Sequence, residues 1–457
     1  MANDPNTIQY VIQEDGFWYV ASKDRTPGVP GITVSSKGIV NGLSNIPNDG
    51  ADFGPDTYNP NYTGSGIPYT QTSGIQEAID YLPTTYPSGG TVKLTSGLFK
   101  ITSGITITTP NVALVGESSQ SNTSIGVISG SVSSVIKSTA FYTSIINVSI
   151  HGTTGTFPGT VATGIDFSQP SAIATNNIID GTFFNGTFTD YILIMDNNDA
   201  SVIRNTQLGN TTSASAMLSW KAPGGAKATI SHCSTGSMDI AVQNLLIIGS
   251  YVSGLLVSEN SIPLMVVEFV NCYQDSQTPM VTINSGVTVG SISYSGYFQI
   301  QNGGYVLTGS GTINKFALSG VALQVVSGAL PLGWIDSTLT VNNYTEISGT
   351  FSGQAGETSI PNAPFSISNG LLTLPTPTTP TVPTSGTAQQ NTNPYPVNVY
   401  IYGGDVTEIQ ITRGGTAYTV LSVSTAIAMS GQVYKLNPGD SITITYSTAP
   451  SWEWLSD

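Results

Sequence analysis

The chain has 457 residues, of which 39% are hydrophobic and only 9% are Asp, Glu, Lys or Arg, and it carries a formal net charge of −15. That length allows a large core and two to four domains, while apolar content this high without charge excludes disorder. The 12 Lys and Arg residues, scattered from Lys23 to Lys435, form no basic cluster, which excludes an electrostatic grip on nucleic acid or anionic lipid.

Ser, Thr, Asn and Gly take the place of charge, as in a β-rich protein made soluble by hydroxyls and amides. No run of about 18 apolar residues is present to span a bilayer. Cys233 and Cys272 cannot make a disulfide framework. They are expected as buried thiols, pairing only if neighbouring coils bring them together. No Cys/His cluster points to a metal, and no cofactor motif is present.

In chain order, residues 8–20 read as a β-hairpin. Ile8, Tyr10 and Ile12 alternate with polar residues, Asp15-Gly16 turns, and Phe17 to Val20 returns. A proline-punctuated stretch follows, making residues 1–70 an N-terminal module plus linker. The spacing of Ile75, Ala78, Ile79 and Leu82 predicts an amphipathic helix over 73–82. Ser73 reads as its N-cap, Gln76 as the partner in a capping box, and Pro83 as its stop. From Gly89 the period falls to 2, with short strands between Gly or Asn turns.

A loose repeat runs through this region. Segments beginning at Ser201, Ala228 and Gly254 lie 27 and 26 residues apart, each an apolar strand followed by polar residues. A period in the twenties with strands and no helices indicates a solenoid. At about 25 residues per turn, residues 90–345 would hold about ten turns, in a rod on the order of 50 Å long. Asn147, Asn177, Asn205 and Asn260 either stack as an inward ladder or simply occupy turns. The open first coil needs a cover, and the helix stands where that cover belongs. The β-helix is thus expected over 71–370. A Pro/Thr-rich linker is expected over 371–395, and a small β-sandwich ending in Trp452 and Trp454 over 396–457.

Residues 72–116 resemble the start of pectate-lyase-like β-helices. The elements that carry the resemblance are Ile75-Gln76-Glu77-Ala78-Ile79, Gly89 to Leu94, Gly97 to Ile101, Ile105 to Ile107, and Asn111 to Gly116. The C-terminal stretch Gly439 to Trp452 is similar to the end of small β-modules on phage and archaeal-virus surface proteins. The resemblance implies an all-β, right-handed parallel β-helix of the tailspike or surface-protein kind. It further implies a homotrimer, a host surface glycan or receptor as partner, and a place on a virion or cell surface. Residues 1–5 lack the basic and apolar regions of a secretory signal. Either a signal has been removed, or the protein leaves its host with an assembled particle.

The fold alone does not assign chemistry. Pectate lyases place acidic calcium ligands beside an arginine base, but Arg204 is the one arginine in the coil. The Asn-Thr-Asp, Asp-Asp, Gly-His-Gly and Arg-Ile-Lys motifs of polygalacturonases are absent. A glycosidase of another type needs only two carboxylates suitably spaced, for which Asp196, Asp199, Glu259 and Glu268 are the candidates. His232 lacks a triad partner and reads as a corner residue. Sugars stack on exposed rings, so Trp452, Trp454, Tyr294 and Tyr297, with Tyr305, are candidate carbohydrate contacts; the two tryptophans serve either as a platform or as a core plug. Six Asn-x-Ser/Thr sequons, at Asn61, Asn122, Asn147, Asn185, Asn210 and Asn343, permit glycosylation. The expected function is a structural spike or adhesin that binds a host glycan. A polysaccharide depolymerase and a filament-forming cellular surface protein are the alternatives.

Overall fold

A computed structural model describes residues 11–14, 17–20, 31–35, 53–54, 70–117, 122–170, 173–208, 211–213, 217–222, 226–261, 264–275, 279–302, 305–326, 333–353, 360 and 363–456. Of the hairpin expected over residues 8–20, Val11–Glu14 lies antiparallel to Phe17–Val20, while residues 8–10 and Asp15-Gly16 lie outside the described residues. The chain forms two compact units, residues 1–265 and 266–457.

The first unit is a parallel β-solenoid with three strands in most coils. Its first sheet runs through Gly31–Val34, Gly90–Leu94, Val112–Gly116, Ser144–Ile146, Ile178–Asp180, Ser201–Arg204, Lys227–Ser231 and Asn244–Ile248. The second sheet uses Gly97–Ile101, Thr123–Val127, Ser149–His151, Phe183–Phe188 and Thr211–Ser213. The third uses Ile105–Ile107, Ser131–Ser138, Thr160–Asp166, Leu193–Ile194, Leu218–Lys221, Met238–Ala241 and Leu255–Val257. Parallel strands require crossovers, and the twist of L-residue strands makes these right-handed.

Register explains why the period-2 pattern builds a core. Ile32, Val92, Leu114, Ile145, Ile179, Ile203, Ile230 and Ile247 pair in succession along the first sheet. Each is at most 1% exposed, and each buried aliphatic side chain contributes about 1.5–3 kcal/mol. The expected repeat holds from Ser201 to Ala228, which are register partners. It fails at Gly254. After the strand Lys227–Ser231, the next strand of the first sheet is Asn244–Ile248, a coil of 17 residues by the pairing of Lys227 with Asn244. Leu255–Val257 instead belongs to the third sheet, beside Met238.

The corners are built by residues of positive φ. Asn147, Gly181, Asn205, His232 and Gly249 have φ between 51° and 59° and follow the successive first-sheet strands. Asn tolerates this left-handed region, and Gly enters it freely. A Cβ on Gly181 would sit 2.2 Å from Asn147 Oδ1, so a bare backbone lets the asparagine of one coil lie on the next. Asn147, Asn205 and His232 are therefore corner residues. Asn177 is different: it is buried, donates to Asn198 Oδ1 at 2.8 Å and accepts from Thr143 N at 2.8 Å. Asn260 is exposed and belongs to neither column.

The helix spans Ile75–Thr85 and carries Pro83 inside its last turn, so the proline does not stop it where expected. Ile75, Ala78, Ile79 and Leu82 are all buried. The cap is also different from the expected one. Gly74 occupies the N-cap position at φ 85° with no side-chain cap, and a Cβ there would come within 2.7 Å of Gly54 backbone. Thr72 Oγ1 accepts from Gln76 N at 3.2 Å and donates to Glu77 Oε2 at 2.9 Å. The Ser73 hydroxyl, in contrast, donates to Lys100 O at 2.6 Å.

Three bonds make this segment the lid of the first coil. Gln76 Oε1 accepts from Thr106 N at 2.6 Å, and Gln76 Nε2 donates to Thr106 O at 2.9 Å. One amide side chain thus pairs with the open edge of strand Ile105–Ile107 as a neighbouring strand would. Gln71 O accepts from Thr102 N at 2.8 Å. An uncovered edge would template association.

In the second unit Val266–Val270, Thr288–Asn302, Thr312–Val325 and Tyr344–Gly353 form a parallel run, and Val281–Ile283, Tyr305–Gly309 and Gly333–Ile335 form another. Aromatic rings fill this core. Phe269 and Tyr294 stack at 4.8 Å and 11°, and Trp334 meets Tyr294, Phe298 and Phe365 edge-on. The C-terminal module is a five-stranded antiparallel sheet of Ala388–Gln390, Val397–Arg413, Thr416–Leu436, Ser441–Thr448 and Ser451–Ser456. Its core includes Val397, Val399, Ile401, Ile409, Ile442 and Trp454, with Leu374 and Val382 of the proline-rich segment packed against it.

Candidate functional site

On the third sheet, inward residues such as Leu218, Met238 and Leu255 alternate with outward ones, because successive side chains of a strand point to opposite faces. The outward positions carry the chemistry. Lys137 pairs with Asp166 on the next strand, Nζ to Oδ2 at 3.0 Å. One coil further on, Asp196 Oδ1 accepts from Ser219 Oγ at 2.7 Å and from Lys221 N at 2.8 Å. Lys221 Nζ then reaches Asp239 Oδ2 at 2.7 Å. The other oxygen of Asp239 accepts from Ser258 Oγ at 2.6 Å.

These contacts place Asp196 and Asp239 on opposite sides of strand Leu218–Lys221, with Glu259 and Tyr191 near enough to act on the lysine charge. Burial pushes Asp196 above the usual aspartate range, against its bonds to Ser219 and Lys221, and the Asp239 charge adds to the rise. Burial alone would lower Lys221, but the hydrogen bond and charge of Asp239, with the Glu259 charge, raise it above the usual lysine range. The arrangement therefore sets a carboxyl whose proton affinity is raised by burial beside a lysine-paired carboxylate. Their strands lie two rungs apart, about 10 Å, and both side chains lean on the strand between. Carboxyl separations of roughly 6.5–9.5 Å admit a water between a general acid and a general base.

At the start of the same sheet lies an open groove of about 320 Å³, lined by Thr102, Ser103, Thr106, Ser131, Ser133 and Lys137 among others. Six of its ten lining residues carry hydroxyls, and Ile105, Val132, Gly104 and Lys137 complete the wall.

Of the four acids expected from sequence, Asp196 and Glu259 stand at this cluster. Asp199 does not, because its Oδ1 accepts from Ala200 N and Lys227 N, both at 2.7 Å, and pins a corner. Glu268 is exposed on strand Val266–Val270 of the second unit. Asp239 and Lys221 were missed. Their signal was an isolated charge at an outward position of an alternating strand, in Met238-Asp239-Ile240 and Trp220-Lys221, but which strands are neighbours cannot be read from spacing.

Among the expected sugar-stacking rings, Tyr297 is 43% exposed and its hydroxyl donates to Gln324 Oε1. Tyr294 is 1% exposed, inside the aromatic core. Trp452 and Trp454 are 6% and 2% exposed and meet edge-on at 5.6 Å. Trp452 Nε1 donates to Pro380 O at 2.6 Å. A ring without a solvent-facing side has no face to offer a sugar, so Tyr294 and the two tryptophans are packing residues in this fold.

Cys233 and Cys272 are both buried and are not joined in a disulfide, and burial raises the Cys233 thiol to about 11. Among the described residues no group of three or more His, Cys, Asp or Glu is placed to hold a metal ion, and no helix is long and apolar enough to cross a membrane.

No family model matches this chain, and no curated protein matches it. Solved structures do resemble it. One is a tailspike protein, gp49, from Acinetobacter baumannii bacteriophage Fri1, described as a capsular polysaccharide depolymerase. It is 14% identical, with 84% of this chain and 81% of that one covered and a TM-score of 0.43. ORF18 of Geobacillus virus E2 is 13% identical, with coverage of 95% and 81% and a TM-score of 0.36. The A-module of the Azotobacter vinelandii mannuronan C-5 epimerase AlgE4 is 14% identical, with coverage of 62% and 93% and a TM-score of 0.32.

Proposed function

We propose that this chain is a spike or adhesin of a virion or cell surface that binds a carbohydrate along the third sheet of its first unit. The observation that carries this reading is the outward row on that sheet. It begins at the groove around Thr106 and Lys137 and continues through Asp166, Asp196, Lys221 and Ser258, with Ser219 and Asp239 buried among them. Sugar hydroxyls both donate and accept, and a rigid row of hydroxyls and carboxylates at strand spacing answers them without losing side-chain freedom on binding.

A second reading is favoured by one feature, the burial-raised carboxyl of Asp196 beside Asp239. In a depolymerase Asp196 would give its proton to the glycosidic oxygen, while Asp239 or Glu259 would activate water from the other side. Incubation of the purified chain with a panel of bacterial and archaeal surface polysaccharides, with binding and product release both assayed, tests the two together. Binding without release supports the adhesin. Release that disappears in Asp196→Asn supports the depolymerase, and failure to bind any glycan overturns both.

A further inference from the structure

The C-terminal sheet ends, on one side, in strand Thr416–Leu436, which is 21 residues long. It pairs along Val397–Arg413, and among the described residues no strand pairs with its other edge. Every residue from Arg413 to Val420 is exposed, and so are Ser422, Ser424, Thr425, Ile427 and Ala428. Tyr418, Val420, Ile427 and Val433 are large apolar side chains between 38% and 53% exposed. From Thr416 to Tyr434 there is no Asp, Glu, Lys, Arg, His or Pro. The devices that blunt an edge, chiefly lysine, proline and inward charge, are thus missing, and the register shifts along Val397–Arg413 are the one interruption.

We infer that this edge is the surface through which copies of the chain associate by strand pairing. Three features point to a second copy as the occupant. The chain carries a net charge of −15, so two copies repel over most of their surface, and an uncharged edge is where they meet without that cost. The residues on it, among them Tyr418, Thr419, Val420, Val423, Thr425 and Ile427, are those that pack well across strands. The edge is also long, at 21 residues, so pairing along it would satisfy many backbone groups at once. A second copy supplies an edge of the same length, the same neutrality and the same unpaired backbone groups.

Sedimentation of the full chain across micromolar concentrations, together with Val420→Lys/Ile427→Lys, tests the inference. The native chain is expected to sediment as an oligomer of identical copies. The double variant, with unchanged circular dichroism and melting, is expected to dissociate at least tenfold more readily. Hydrogen exchange on the native chain gives a second reading that needs no variant, since amides of Thr416–Tyr434 should gain protection as concentration rises. A native chain that stays monomeric overturns the inference, as does a folded double variant that assembles like the native chain. Exchange in this strand that is independent of concentration overturns it too.

Discussion

Lys221 holds two acids at once: its Nζ lies 2.7 Å from Asp239 Oδ2, while its backbone N donates to Asp196 Oδ1 at 2.8 Å. The ammonium can be removed without touching the backbone bond. Lys221→Met leaves Asp239, whose side chain is 12% exposed, without its counter-charge, and is expected to cost about 1–3 kcal/mol. Asp239→Asn removes the charge that needs pairing and is expected to cost less. Urea denaturation midpoints of the two variants check the order. Equal losses would mean that the pair contributes packing alone.

The same cluster and one histidine set opposite pH trends. His151 lies against Phe157 at 4.8 Å, and neither ring nitrogen has a partner among the described residues. Burial lowers its pKa from 6.5, so the unfolded chain binds the proton more tightly. Its contribution is complete above pH 6.5 and is lost as pH falls from there through the folded value. Burial raises Asp196 and Glu77 from 3.8 and 4.5, so for these acids the folded chain binds the proton more tightly. Their effect stabilises progressively as pH falls through the raised values toward 3.8 and 4.5. Melting of the native chain should therefore weaken on acidification just below pH 6.5, and His151→Leu should abolish that first loss. Further acidification of His151→Leu should raise its melting temperature. A variant that follows the native pH profile would assign the acid sensitivity elsewhere.

Tyr294 presents a buried hydroxyl with no partner among the described residues, and burial pushes its pKa well above the usual tyrosine value. An unpaired buried hydroxyl costs about 1–3 kcal/mol. Tyr294→Phe keeps the stack on Phe269 and the edge contact with Trp334, and is expected to stabilise by about 1 kcal/mol. Trp334→Ala, in the same cluster, is expected to cost about 3–5 kcal/mol. Calorimetry on both variants gives the comparison; a destabilised Tyr294→Phe would mean that the hydroxyl is in fact satisfied.

The fold was legible where one side chain reports one local condition. Alternation marked Val92 and Leu114 as inward, and the 3.6 period marked Ile75, Ala78, Ile79 and Leu82. The site was less legible, because Asp196, Lys221 and Asp239 come from three separate coils, and coil length varies too much for spacing to align them. Ser201 and Ala228 are true neighbours, whereas Gly254 kept the spacing but leads into a strand of a different sheet. Corner residues misled for a related reason. Asn suits both an inward stack and a left-handed turn, and only backbone φ separates Asn147 and Asn205 from the buried Asn177. Aromatic rings were ambiguous in the same way, since Tyr294 and Tyr297 sit three residues apart but differ wholly in exposure.

Gln76 shows how much of the N-terminal lid rests on one amide. Its side chain both accepts from and donates to Thr106, reproducing the pair of bonds that a neighbouring strand would make. The same Nε2 lies 2.8 Å from Asp80 Oδ1, which holds the amide in that orientation. Gln76→Ala leaves Thr106 to water, because the bonds are near the surface, and is expected to cost about 1–2 kcal/mol. Gln76→Glu keeps the shape but places a second acceptor where a donor must face Thr106 O, and sets it beside Asp80. It should therefore cost more than alanine at neutral pH and recover as pH falls and the carboxyl takes up a proton. Hydrogen exchange of Thr106 N, with denaturation midpoints at two pH values, distinguishes these outcomes. Native protection of Thr106 in both variants would mean that the first coil is closed without Gln76.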